Sequence, residues 1–580
     1  MSGAPVPVSP RRHRLGAGSA RLPSSWTARA PLVVLVVGLA ANALVLLRYA
    51  NGIYFWADEF DLLFRRGIIP SEDVGLLTPH SGHLMVIPIL VYRLLVTTFG
   101  LDSYTPWAVV QIGWHLAICV TTFLVLRRVG ARPGVATAAA LFIAWWGIGG
   151  NAQLWAVGMN HSGSLLLGLL TVYVVAGPSS DRRAWLIGTA LLVVAVGFSL
   201  TTVAAAVLAG GYAWWRRGPA FTVRLLVAPV VLLGVWFVAY GAEGLDEVNG
   251  STVTTDPDIE RIPAMVWQAL TATLDNGLGL TGVGPVLVVL LAASVLMARG
   301  QPAGLVALAA LGMLATFVQL TLTAYGRYSG GAAEISIAVY SYITVVLLAP
   351  ALALAVSVAL DAVQRPAWVT AIVVGVLATA YVAHALAELR TWHTNISLVS
   401  GGNKDLMLGI ATAADAGERP LDRNHPDALS PYLLPKYVLA PEIREELPTG
   451  GSTPQARLAA ESTFFVGVGP GDYGLPGAAG VYVFNLDDPR PRGGDCTSYE
   501  ATTADPAIAV DTGEGVEVVV TSDATSVRTT LTRDDVSGPQ REWPTVAGEP
   551  THIATSAKDA TLSVSFGAGG NYVICTGEPS

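Results

Sequence analysis

Lysine is almost missing from this chain. Its 580 residues hold three, Lys404, Lys436 and Lys558; every other member of the 34 basic residues is Arg. Charge of either sign is scarce, 13% Asp, Glu, Lys and Arg, where soluble domains average about 25%. That excludes an ordinary soluble enzyme and a disordered chain. No basic stretch stands out and the net charge is −8, which argues against a nucleic-acid partner. Cysteine is limited to Cys119, Cys496 and Cys575, so no CxxC spacing can support a zinc or redox centre. P-loop, dinucleotide-binding glycine and GxSxG patterns are also lacking in any strand–helix context. Arg in place of Lys, with abundant Ala, Val and Gly, is the mark of a GC-rich, actinobacterial-type genome.

What the chain does have is long hydrophobic runs. Hydrophobic residues make up 52% and the mean hydropathy is +0.53, as in a polytopic membrane protein, and a span needs roughly 17–25 apolar residues. Residues 1–30 carry Arg11, Arg12, Arg14, Arg21 and Arg29, which hold this tail in the cytoplasm; the following run lacks a small-residue cleavage site before polar sequence and reads as a retained helix. Later clusters mark cytoplasmic loops: Arg127, Arg128 and Arg132; Arg182 and Arg183; Arg216, Arg217 and Arg224; Arg299; Arg365. Together they predict eleven spans, at 31–50, 106–126, 134–149, 163–177, 184–197, 200–215, 221–241, 280–298, 303–324, 335–358 and 367–388. The run 184–215 has arginines at both ends and must cross out and back, breaking near Gly197-Phe198-Ser199. Residues 84–99, with Pro88 and Arg93, and 263–276, with Trp267, read as helices in the outer interface.

An odd number of crossings puts the C-terminus outside. Residues 31–388 form the transmembrane domain and 389–460 a mixed extracytoplasmic connector. Residues 461–580 alternate with period two in short runs punctuated by Gly, Pro and Asp, the pattern of a small β-sandwich. Cys496 and Cys575 lie in that tail and form a disulfide if it is exported. Cys119 sits in an apolar run and reads as an inert core thiol.

Four polar segments sit on the outer side. Trp56-Ala57-Asp58-Glu59-Phe60-Asp61 sets three carboxylates just beyond the first span. Charge there is costly and often functional, although acidic residues also favour a helix N-terminus. His80 and His83 follow, three apart, suited to metal or phosphate contact or to a hydrogen-bonded corner; with no third ligand nearby a structural zinc is not expected. The loop Asn151, Gln153, Trp155, Asn160, His161 suits a hydroxyl-rich ligand or an interfacial Trp belt. Arg327, beside Tyr328, is an outer-face arginine that either binds phosphate bidentately or snorkels to headgroups.

With these features the chain resembles the GT-C glycosyltransferases, the polytopic families that include protein O-mannosyltransferases, aminoarabinose transferases and mycobacterial arabinosyltransferases. Asp58-Glu59 after the first span carries the likeness. The 80–95 stretch His-Ser-Gly-His-Leu…Pro…Tyr-Arg-Leu-Leu, the 151–161 loop and Gly326-Arg327-Tyr328 add to it. The outline covers 31–388, and the tail resembles appended domains of some members only in architecture. An Arg-Tyr pair found in relatives is replaced by Val339-Tyr340-Ser341-Tyr342.

The resemblance implies inverting single displacement from a polyprenyl-phosphate-linked sugar to an envelope glycan, lipid or protein acceptor. Asp58 would be general base; Glu59 or Asp61 would orient a sugar; Arg327, with His83, would stabilise the departing lipid phosphate. No cofactor is required, and a divalent metal is possible without being indicated. By analogy with the genome type, decaprenyl-phosphate arabinose or mannose are candidate donors. Two other classes compete. A non-catalytic scaffold or glycan-binding protein would leave Asp58 dispensable. A transporter or lipid-carrier flippase would favour ionisable residues in mid-span.

Overall fold

A computed structural model describes residues 26–242, 259–327, 338–362, 367–421, 433–448, 452–469, 479–485, 495–500, 507–513, 516–521, 526–545, 550–566 and 571–577. The chain is mostly helical, with a β-sheet region at its C-terminal end. The apolar runs fold as helices, which satisfy every backbone polar group internally. They are α1 (Trp26–Ala50), α2 (Val86–Phe99), α3 (Thr105–Arg128), α4 (Pro133–Ala144), α5 (Gly150–Leu154), α6 (Met159–Ala176), α7 (Asp181–Val196), α8 (Thr202–Arg217), α9 (Pro219–Trp236), α10 (Ile262–Leu278), α11 (Gly284–Leu296), α12 (Ala303–Gly326), α13 (Ala338–Ala362) and α14 (Ala367–Asp415). Short helices α15 (Pro435–Val438), α16 (Pro441–Glu446) and α17 (Pro454–Ala460) follow.

Among the described residues, seven helices are long and apolar enough to cross a membrane, at Arg29–Ala50, Thr105–Arg128, Ala156–Ala176, Pro219–Gly241, Ala303–Gly326, Val339–Ala362 and Val369–Asp415. An eighth arises if α4 and the segment Gly147–Leu154, bent by 50° at Trp145–Trp146, count as one broken span. The other three expected spans are shorter helices. α7 and α8 have 16 residues each and α11 has 13. The break expected near Gly197 is present, since α7 stops at Val196 and α8 starts at Thr202. Gly163 meets Phe198 there so closely that a Cβ would stand 2.3 Å from its ring. Outward faces of α1, α9 and the first part of α14 expose Val37 (62%), Val235 (63%) and Leu377 (64%), faces suited to hydrocarbon.

Composition changes at residue 389, but the helix does not. α14 runs 49 residues without a break, beyond the expected end at 388. Its second half is held by burial of Leu389, Met407, Ile410 and Ala413 in a core shared with Phe55, Phe60, Leu62 and Phe64. Ser400 Oγ accepts from Tyr54 N at 3.1 Å and Asn403 Nδ2 donates to Phe55 O at 3.1 Å. The far half of α14 therefore fixes the acidic loop that follows α1.

The β region contains two sheets. One has the order β1-β9-β5-β2-β11-β3, from β1 (Val466–Gly469), β2 (Ala479–Asn485), β3 (Asp495–Glu500), β5 (Val516–Thr521), β9 (Pro550–Thr555) and β11 (Asn571–Gly577). The other has β4 (Ala507–Asp511), β10 (Thr561–Phe566), β6 (Ser526–Arg533) and β7 (Val536–Ser537) in order, with β8 (Arg541–Pro544) also on β6. Val518, Val520 and Ile553 from the first sheet share a core with Val527, Leu531, Leu562 and Val564 from the second, which makes a sandwich. Cys496 and Cys575 are direct partners in the β3–β11 register; their side chains lie outside the described residues. Cys119 is buried and free.

Candidate functional site

The acidic loop begins with a strained residue. Ala57 has φ +50, a left-handed conformation uncommon without glycine, and it delivers Asp58 with a side chain 34% exposed. Glu59 turns the other way and is fully buried. Its Oε1 accepts from Tyr92 OH at 2.6 Å and Tyr104 OH at 2.8 Å, and its Oε2 accepts from Trp56 N at 3.1 Å. Burial, only partly opposed by these hydrogen bonds, pushes its pKa up to about 8. With both oxygens bonded inside the protein, Glu59, expected in a catalytic or sugar-orienting role, anchors the loop.

Asp61, the other residue expected to orient a sugar, is also interior, at 1% exposure. Its Oδ2 lies 2.7 Å from Arg66 Nε and 2.7 Å from His80 Nδ1, and its Oδ1 lies 3.2 Å from Arg65 Nη1. Burial alone would raise its pKa. The hydrogen bond and charge of His80, with Arg66 and Arg65, overcome that and hold it at about 2. Arg66 also donates to the carbonyls of Thr78 and Pro79, at 2.7 and 2.8 Å. This pins the strand that delivers His80.

His80 and His83 flank a two-residue turn. His80 N donates to His83 O at 3.0 Å and His83 N to His80 O at 2.8 Å. Ser81 and Gly82 between them have φ +47 and +77, as a primed hairpin turn requires. His80 Nε2 is 3.5 Å from Asp58 Oδ2. Burial opposes its protonation, yet the hydrogen bonds and charges of Asp58 and Asp61 raise its pKa to about 9. The sequence Asp61–His80–Asp58 is thus a relay from an interior carboxylate to a part-exposed one. His83 is the reverse case. Burial, then the positive charges of Arg327 and His80, lower it to about 3, leaving a neutral imidazole whose Nδ1 has no hydrogen-bond partner.

His83 opens onto a large apolar groove of about 1240 Å³. Its walls are α8, α9 and α12, with Ala206, Val207, Leu226, Val230, Leu311 and Leu322 among the lining residues. At one end stand His83, Gln319, Arg327 and Tyr340; toward the other lies Trp214, next to Arg216 and Arg217. Apolar walls with a cationic, hydrogen-bonding end suit a long hydrocarbon tail carrying an anionic head. No family model, curated protein or solved structure matches this chain.

Other expected residues divide between the groove end and the packing around it. His161 lies behind His83, ring centroids 5.4 Å apart and perpendicular, and 5.9 Å from the Tyr340 ring. Its Nδ1 is 2.7 Å from Thr201 Oγ1. Asn160 is buried, and its Oδ1 accepts from His161 N at 2.6 Å. Gln153, expected at a ligand, is 1% exposed and donates to Trp146 O at 3.0 Å. Asn151 Oδ1 accepts from Trp392 Nε1 on α14. Trp155 stacks on Trp56, centroids 5.4 Å apart at 22°, beside the acidic loop. Tyr328 lies outside the described residues. Among the described residues no group of three or more His, Cys, Asp and Glu is arranged to hold a metal.

Sequence reasoning did not single out Arg66, Tyr92, Tyr104, Ser400, Asn403 or the apolar wall residues of the groove. Arg66 carried a faint signal, a charge pair five residues after Asp61. The tyrosines and α14 contacts carried none, because they come from distant segments.

Proposed function

We propose that this chain transfers a sugar from a polyprenyl-phosphate-linked donor to an envelope acceptor on the outer face of the membrane. The observation that carries this reading is the groove, apolar along its length and ending at Arg327 and His83. His83 is three residues from His80, the partner of Asp58. The tail lies between α8, α9 and α12, and the phosphate meets Arg327 and His83 at the polar end. That phosphate is the leaving group, and a fixed guanidinium stabilises the charge it gains. Asp58 is the general base: its side chain is the part-exposed member of the acidic loop. The orientation, with α1 entering from the cytoplasm and the β-sandwich outside, and the count of eleven crossings belong to this proposal. Arginine placement supports them.

Three strains test it: parent, deletion, and a chromosomal Asp58→Asn change with unaltered protein level. Loss of the same envelope glycan linkage in deletion and variant is the expected outcome, and the lost linkage names the product. Normal linkages in Asp58→Asn, with a defect in the deletion alone, would remove Asp58 as the base and favour a scaffold or glycan-binding protein.

A further inference from the structure

We propose that His80 is the positioning residue of this transferase: clamped through Nδ1–H by Asp61, it turns Nε2–H toward Asp58 and keeps that carboxylate aimed at the acceptor hydroxyl. The inference rests on the transferase reading above. Its geometric basis is the short contact to Asp61, 2.7 Å, and the ion-pair distance to Asp58, 3.5 Å. Such contacts are often long before substrate closes the site.

The clamp is one-sided. Asp61 is itself held by Arg66 and Arg65, and Arg66 grips the backbone of Thr78 and Pro79 just before His80. His80 therefore has one orientation, and its remaining nitrogen faces Asp58. This is the logic of a buried carboxylate orienting an imidazole, with a second carboxylate where a nucleophile stands elsewhere. In the step proposed, the acceptor oxygen bonds to the anomeric carbon and its proton passes to Asp58. The bond from that carbon to the lipid phosphate breaks, and its electron pair leaves with the phosphate. His80 touches none of the reacting atoms.

The protonation state of His80 decides whether it attracts or repels. The groups facing it are Asp58 on the acidic loop, Asp61, Arg65 and Arg66 on the helical segment Asp61–Ile68, and neutral His83 across the hairpin, with Arg327 acting beyond His83. As imidazolium it donates to both carboxylates. Once neutral it keeps its one hydrogen for Asp61, and the Nε2 lone pair faces Asp58. Transfer should therefore fall as pH rises through about 9.

The test uses the full chain in lipid nanodiscs. Labelled imidazole resonances of its nine histidines are followed with pH, His80 being assigned by its absence in His80→Gln. His80 is expected to stay protonated to about pH 9, and Asp61→Asn to lower that midpoint by at least one pH unit. A midpoint near 6.5 in the unaltered protein overturns the proposal. In parallel, polyprenyl-phosphate mannose and arabinose are supplied to proteoliposomes with deletion-strain membranes as acceptor. His80→Ala should lose at least tenfold in kcat with little change in donor KM. His80→Gln, whose amide N–H donates at any pH, should recover most of that and lack the alkaline fall. Unaltered kcat in His80→Ala, or the same alkaline fall in His80→Gln, overturns the positioning role. Transfer retained by Asp58→Asn would instead remove Asp58 as the base, and no transfer by the unaltered protein would remove the transferase reading, while the resonance titration still judges the clamp by itself.

Discussion

The Tyr104 hydroxyl lies 2.8 Å from Glu59 Oε1, joining the first residues before α3 to the acidic loop across 45 positions of sequence. The same hydroxyl accepts from Ala156 N at 2.8 Å, so one phenol ties α3, the acidic loop and the start of the α6 segment. Glu59→Ala removes the acceptor of Tyr92 OH, Tyr104 OH and Trp56 N, an effect of about 1–3 kcal/mol for each buried polar group orphaned. Thermal unfolding in detergent should show this loss. Tyr104→Phe should cost less, since it orphans Ala156 N alone while Tyr92 still donates to Glu59.

Glu59 also gives a pH dependence with a fixed sign. Its folded pKa, about 8, lies above its ordinary 4.5, so the folded state binds the extra proton between those values. Stability should fall as pH rises from about 4.5 to 8 and level off above that. Removal of this group by Glu59→Gln should flatten that part of the profile. Unfolding midpoints taken across pH 4–9 for both proteins decide it, and parallel profiles would contradict the assignment.

Asp58, Glu59 and Asp61 should separate by substitution. Asp58→Asn should lower transfer by about 10²–10⁴-fold, the usual contribution of a general base, with normal unfolding temperature. Glu59→Gln should act mainly on stability. Asp61→Asn should lower transfer through His80 and shift the alkaline limb of the pH profile toward neutrality. Protein levels and unfolding temperatures measured beside transfer distinguish these three patterns.

The groove can be blocked from the side. Ala206 lines it and is only half-buried, so Ala206→Phe puts a ring into the space without disturbing the packed core. Donor KM should rise at least tenfold for a long-tailed donor and much less for a short-tailed analogue. On the proposed function, Arg327→Gln should weaken both donors alike, because the guanidinium would act on the phosphate that they share. Equal effects of Ala206→Phe on the two tail lengths would show that no tail lies there.

At the other end of α14, Glu418 and Glu461 are buried and share two arginines. Arg457 reaches Glu461 at 2.6 Å and Arg533 of β6 reaches it at 2.9 Å. Arg533 Nη2 also donates to Lys558 O at 2.6 Å. This cluster fastens the sandwich to the helical body. Arg533→Ala should cost about 2 kcal/mol, below the 3–5 of a broken buried pair because Arg457 remains. Faster cleavage by added protease between the two parts should accompany it.

The alternation of strands, the long apolar runs and the break after Val196 were legible in the sequence because each follows a local period or a local breaker. The segment Asp58–His83 was also legible as a concentration of carboxylates and histidines next to a span. Sequence spacing could not say which carboxylate faces outward. Asp58 and Asp61 are three apart, yet one is part-exposed and the other interior, because Arg66 and His80 fold back onto Asp61. Nor could it extend α14 to Asp415, since the burial that holds its second half comes from residues some 350 positions away.

The sequence by itself determined the helical and β-rich regions and the residue types at the acidic loop, as hydropathy, periodicity and turn chemistry are properties of neighbouring residues. The tertiary structure alone decided the Asp61–His80–Asp58 order, the burial of Glu59 under two tyrosines and the groove ending at Arg327. Those depend on which distant side chains exclude water together. Desolvation and pairing, not position in the chain, set the charge and direction of each group there.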